Sequence, residues 1–191
     1  MAPGCTILVG EIGGLVWVRV QGRGTFQCSP ALRELADRML ARGAGPLVVD
    51  LQDCPMMDST FMGTLTGIAL GLRARRTGDA LHVLNANPRN IELLESLGID
   101  QILGLDKDGS AFPEWRREVG AEMLACAGTG ALGQAEQAAH VLEAHEVLAG
   151  INQDNRRRFQ DVVSYLREEV ERTLPGGETG GGPAAPGRPA P

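Results

Sequence analysis

One junction constrains this chain more than any other. "PLVVDL", residues 46–51, is a nearly continuous apolar run of strand length, and a few residues later "MMDSTFMGTL", residues 56–65, opens a pattern of helical spacing. A strand that is apolar on both faces has to be covered on both, which puts it at the centre of a sheet. A strand that passes directly into a helix is half of a parallel crossover, and such crossovers are right-handed. Aromatic residues make up only 4% of the chain while 43% is hydrophobic, so the core is built from Leu, Val, Ile, Ala and Met, the usual material of helices on a sheet. The expected fold class is α/β.

The flanking segments fit that centre. Residues 5–12 and 15–20 are β-favouring runs separated by Gly13 and Gly14, a two-residue hairpin signal. Ser29 and Pro30 supply an N-cap and a first helical residue, and Leu32, Leu35, Ala36, Met39 and Leu40 form a helical stripe that ends near Gly43. From Asp58 to Arg76, Phe61, Leu65, Ile68, Ala69 and Leu72 recur at helical spacing, with Gly78 as a C-terminal cap. "ALHVLNA" (80–86) reads as another buried strand. Asn87 and Pro88 then start a short helix that Gly98 closes, and "ILGLD" (102–106) supplies a last strand. The expected order is β, β, α, β, α, β, α, β.

Beyond Gly120 the strand signal stops. A helix is expected from about 135 to 149 with Ala138, Val141, Leu142, His145 and Leu148 on one side, and another from about 154 to 174 with Phe159, Val162, Val163, Leu166 and Val170 on one face. Such narrow stripes need a cover: each other, the sheet domain, or a second chain. The expected organisation is a domain over residues 1–118, a helical extension over 119–174, and a Gly/Pro-rich tail over 175–191 too poor in large apolar residues to fold.

Charge and motifs exclude several functions. The net charge is −6 and no block of Lys and Arg occurs, so direct nucleic-acid binding is not expected. Arg73, Arg75 and Arg76 form the one tight basic cluster before the final helix, either suiting the negative end of a helix dipole or contacting a phosphate. Cys5, Cys28, Cys54 and Cys126 have no metal-ligand spacing and read as reduced thiols. No segment reaches a membrane span, so a cytoplasmic protein is expected. Sequence templates for a nucleophile elbow, a P-loop, a dinucleotide fingerprint and a zinc-protease helix are all missing. His82 is alone in a strand, and His140 and His145 are five apart, off the spacing that stacks two ligands on one helix face. Neither an enzyme nor a metal or cofactor site is expected.

The opening junction remains. Asp58 is placed to cap the helix, with Met57 and Met62 as a hydrophobic staple. A cap does not require hydroxyls at the next two positions, and Ser59 in the first turn is expected to point outward at the end of the loop. Two readings stand: Ser59 belongs only to the cap, or it is a modification site. A phosphate there would gain from the positive end of the helix while repelling a partner fitted to the bare hydroxyl.

The stretch "LVVDLQDCPMMDSTFMGTL", followed by a strand and then "NPRNIELLESLGIDQIL", closely resembles the STAS domain of bacterial anti-sigma factor antagonists, over about residues 5–115. The resemblance implies a small mixed sheet with helices packed on it, to which the C-terminal helices are added. It makes Asp58 the aspartate of the D-S-S/T-G-L-G motif, Ser59 the phosphoacceptor, Thr60 the second hydroxyl residue and Gly63 the second glycine. Phe61 departs from the motif, standing at its first glycine, where a ring could fill a partner pocket or shield the serine. The "GRGTFQCSPALREL" segment also lacks the Leu-Asp that often follows the second strand's glycine.

The function implied is that of an anti-sigma factor antagonist. Asp58, Ser59, Thr60, Phe61 and Met62 would bind an anti-sigma factor of the histidine-kinase-like ATPase type, which phosphorylates Ser59 with its own ATP and magnesium; a phosphatase would reset the switch. The alternative is a STAS-type scaffold or assembly subunit whose terminal helices dimerise or dock onto a larger complex. A third reading, a nucleotide site at the helix N-terminus, rests on that terminus alone.

Overall fold

The computed structural model of the protein describes residues 4–43, 45–75, 80–119, 123–126 and 132–173. Strands β1 (Thr6–Ile12) and β2 (Leu15–Gln21) form an antiparallel hairpin. Its turn is Gly13 and Gly14, at φ +55° and +80°, a left-handed pair that glycine adopts without strain. Strands β3 (Leu47–Asp50), β4 (Leu81–Leu84) and β5 (Gly104–Leu105) then add in parallel beside β2. Helix α1 (Ser29–Ala41) connects β2 to β3, α2 (Ser59–Ala74) connects β3 to β4, and α3 (Pro88–Ser96) follows β4.

Alternation along the strands sorts the core into two layers. Val16, Val18, Val20, Leu47, Val49, Leu81 and Val83 face α1, α2 and α3 and meet Leu32, Leu65 and Leu94 there. Trp17, Val48 and Leu84 face the other way, under Val119, Phe112 and Trp115. Residues 106–119, with the single turn α4 (Trp115–Glu118), cross that second face. The chain then enters β6 (Leu124–Ala125), which pairs antiparallel with β1, so the sheet order is β5-β4-β3-β2-β1-β6. The expectation that strand structure stops before residue 120 is therefore corrected. Two residues carry no periodic signal, and β6 exists because the crossing segment delivers them to the free edge of β1.

Two more corrections follow from tertiary contacts. Ser29 is not the N-cap of α1 but its first residue: Cys28 holds the cap position without a side-chain bond. Cys5 and Cys28 are joined by a disulfide, whereas Cys54 and Cys126 are free. Spacing alone does not announce that pairing; it arises because the hairpin sets Thr6 opposite Gln21, bringing the start of β1 beside the loop that enters α1.

The extension forms α5 (Gln134–Ile151) and α6 (Gln153–Thr173), an antiparallel pair. Of the covers open to their apolar stripes, the structure uses two: α5 packs on α6 and also lies along α2. The corner between them is tied to the end of α3, where Asn155 Nδ2 donates to the Leu97 carbonyl at 2.8 Å. The tail over 175–191 and the Gly78 cap lie outside the described residues.

Candidate functional site

The loop from Leu51 to Asp58 is held from both sides. On one side Gly24 N donates to Met56 O at 3.0 Å and Asp58 N donates to Gly24 O at 2.9 Å. On the other, Asn90 Nδ2 donates to the Cys54 carbonyl at 3.0 Å and Asn87 Nδ2 to the Pro55 carbonyl at 3.1 Å. Asp58 is the N-cap of α2: its Oδ1 accepts from Phe61 N at 2.8 Å, and Oδ2 accepts from Phe26 N at 2.9 Å. One carboxylate thus satisfies a free amide of the first turn and fixes the loop before α1. Asp58→Ala is expected to cost about 2 kcal/mol, the upper end for a lost cap, because two amides lose their acceptor. Asp58→Asn keeps an acceptor for only one of them and should cost less; urea unfolding of the two variants checks the order.

The residues around it are less exposed than expected. Met57 and Met62 are both buried in the main core, as a staple requires. Thr60 is 4% exposed, and Phe61 is fully buried with its ring against Gly24, where an added Cβ would stand 3.0 Å from Cδ1. The expectation that the Phe61 ring meets a partner is thus corrected: this face of α2 turns inward onto the sheet.

Ser59 is half-buried, and its hydroxyl is not free. It lies 2.9 Å from His145 Nε2 of α5. The other ring nitrogen, Nδ1, is 2.8 Å from the Val141 carbonyl. A carbonyl can only accept, so Nδ1 carries a proton; in the neutral ring Nε2 is then the acceptor and Ser59 the donor. Phe159 of α6 sets the ring from behind, edge-on at 5.7 Å between centroids.

Helix α5 covers the same face beyond Ser59. Its backbone lies so close at Gly63 that an added Cβ would stand 2.3 Å from the Ala144 carbonyl oxygen. One turn before, His140 Nε2 is 2.8 Å from Ser29 Oγ of α1 and 3.4 Å from Thr64 Oγ1 of α2. Burial pushes the His140 pKa down, Glu143 opposing and Arg33 adding to the shift, which favours a neutral ring. At the rim Arg33 Nη1 bonds Glu143 Oε1 at 2.8 Å. Spacing assigned the two histidines no role; the hydroxyls they meet lie on helices more than 70 residues away.

The other candidates are structural. His82 packs edge-on against Phe112 at 5.0 Å, and desolvation pushes its pKa down. Arg73 in the last turn of α2 donates to the Gln101 carbonyl at 3.1 Å, a helix-end contact. Among the described residues there is no group of three His, Cys, Asp or Glu able to hold a metal ion, and no helix long and apolar enough to cross a membrane.

Residues 12–105 match the family described as Mlab, STAS domain. An anti-sigma factor antagonist from Mycobacterium paratuberculosis is similar in fold, with 21% identity and a TM-score of 0.50, over 56% of this chain and 91% of that one. A candidate anti-sigma factor antagonist from Thermotoga maritima is similar at 18% identity and a TM-score of 0.50, over 61% of this chain and 96% of that one. Among curated proteins no relative matches the chain. The sheet order, the capped strand-to-helix junction and the family match agree, and residues 12–105 are a STAS domain.

Proposed function

We propose that the protein is an anti-sigma factor antagonist that binds a kinase-type anti-sigma factor through the N-terminal end of α2 and is switched by phosphorylation of Ser59. The observation that carries this reading is the position of Ser59. It is the first residue of α2, directly behind the capping Asp58, in a loop pinned on both sides. The fold shared with anti-sigma factor antagonists of two other bacteria supports it.

The chain acts in the cytoplasm by binding rather than by catalysis, and needs no cofactor. The kinase transfers the γ-phosphoryl group of its magnesium-bound ATP. The Ser59 O–H proton passes to the kinase's base, a P–O bond forms at Oγ, and ADP leaves. The phosphate brings nearly two negative charges to the positive end of α2, where the domain tolerates them, and beside the Asp58 carboxylate, where a partner fitted to a hydroxyl does not. A phosphatase returns the hydroxyl. Asp58 and Ser59 make the contact, while Thr60, Phe61 and Met62 shape the helix end from within.

Peptide mapping by mass spectrometry of the protein from its native cells, growing and stressed, tests this reading. Phosphate on Ser59 that changes with condition, and a kinase that co-purifies with Ser59→Ala, are expected. Constant absence of phosphate sinks the switch and leaves the second reading, an assembly subunit. That reading draws on the helical extension, which offers the exposed face of α6, with Tyr165 59% exposed, as an added surface. It requires concentration-dependent association of the full chain in sedimentation, which the switch does not.

A further inference from the structure

The helices outside the family match lie on the residue that the family match makes interesting. We propose that the α5–α6 hairpin is an intramolecular lid on the Ser59 face, and that its closure and a phosphate on Ser59 exclude each other. The inference rests on Ser59 being the phosphoacceptor and adds what controls access to it.

Three observations carry it. The hydroxyl that must be reached is engaged in the closed state, 2.9 Å from His145 Nε2. Seating of the lid depends on bare backbone at Gly63, with the Ala144 carbonyl where a side chain would begin. The remaining contacts mix replaceable polar pairs, His140 to Ser29, Arg33 to Glu143 and Asn155 to the Leu97 carbonyl, with an apolar anchor, Leu148, buried in the main core beside Ile151 and Phe159. Beside that anchor, two histidines of α5 meet three hydroxyls of α1 and α2, so the end of the lid nearest Ser59 is held by hydrogen bonds.

The exclusion follows from counting donors and acceptors. A phosphoryl group on Oγ removes the only proton Ser59 can donate, so the hydrogen bond to Nε2 of a neutral His145 ring is lost. The group also needs room beside Oγ, where the His145 ring of α5 stands at hydrogen-bond distance. Phosphoserine therefore opens the lid, and by linkage a closed lid disfavours phosphorylation by the same factor. An antagonist of this design is silent until the hairpin is displaced, whether by the kinase or by another ligand of the extension.

The test needs no kinase. Phosphoserine can be installed at position 59 during synthesis of the full chain, and hydrogen–deuterium exchange then followed over residues 134–151 and 59–66. Exchange should accelerate at least about tenfold in both segments relative to the unmodified chain, the equivalent of about 1.4 kcal/mol. Ala144→Arg, which wedges the lid from its own side without touching the sheet domain, should do the same, while β2 and β3 keep their protection. Unchanged exchange in α5 of the phosphoserine protein, with Ala144→Arg opening it, overturns the exclusion. Unchanged exchange in both overturns the lid. Neither result depends on whether cells phosphorylate Ser59, so this failure is distinct from failure of the switch itself.

Discussion

Phe61→Ala is expected to unfold the protein more readily by about 4 kcal/mol, the range for a fully buried phenylalanine, which corresponds to a fall in melting temperature of roughly 8–16 °C for a chain of this size. The ring is 0% exposed and rests on Gly24, so truncation leaves a cavity under the loop that Asp58 pins through Phe26. Phe61→Leu should recover more than half of the loss, because volume counts at this position and aromaticity does not. The measurement separates two roles for the residue. A partner contact would lower binding of the folded protein and leave melting alone; a core residue does the reverse. Thermal unfolding by circular dichroism of both variants decides between them.

The second large effect is expected on the opposite face of the sheet. Asp50 ends β3 with a side chain only 1% exposed, and its two oxygens serve four donors. Oδ2 accepts from Arg19 Nε at 2.9 Å and Trp17 Nε1 at 3.4 Å; Oδ1 accepts from Asn85 Nδ2 at 2.8 Å and Gln52 N at 3.1 Å. Asn85, at φ +55°, accepts from Arg116 in turn, and Arg116 pairs with Asp106. Asp50 is thus the root of the network that holds the crossing segment to the sheet. Asp50→Ala strands these donors and should cost about 3 kcal/mol, the low end for a broken buried pair because Arg19 keeps some access to water. Asp50→Asn retains an acceptor and should lose less. Urea midpoints give the size, and faster hydrogen exchange over residues 106–119 would show that the crossing segment is what loosens.

What could be read from the sequence was local. The Gly13–Gly14 turn, the Asp58 cap and the Asn87 cap each depend on two or three neighbouring residues, and the structure forms all three. The apolar run at β3 located the sheet centre because a strand covered on both sides has little choice of composition. Elements that exist through distant contacts left no such trace. β6 is two residues long and owes its existence to Leu8 and Val9. The Cys5–Cys28 bridge depends on hairpin register, and α4 on Trp115 reaching the bare turn at Gly13. The outward orientation expected of Ser59 fails for the same reason. Considered alone, the first turn of α2 points to solvent, and only α5, with His145 placed 86 residues later, supplies the imidazole that meets it. Gly63 was the available clue: a glycine inside a helix weakens it by roughly 1 kcal/mol relative to alanine, and its use here is to let another backbone approach.

The order of these parts along the chain gives the Ser59 face a history. Every residue of the family domain up to residue 105 leaves the ribosome before α5, which ends at Ile151. Domains fold as units from the N-terminal side during synthesis, at about 5–20 residues per second, so the 46 residues between those points take about 2–9 s to add. For that interval a nascent chain can present an uncovered Ser59 to any kinase nearby. If phosphate on Ser59 and closure of the hairpin exclude each other as proposed, a molecule intercepted then is completed with its hairpin unable to seat, and two populations, marked at birth or closed at birth, arise from the same messenger.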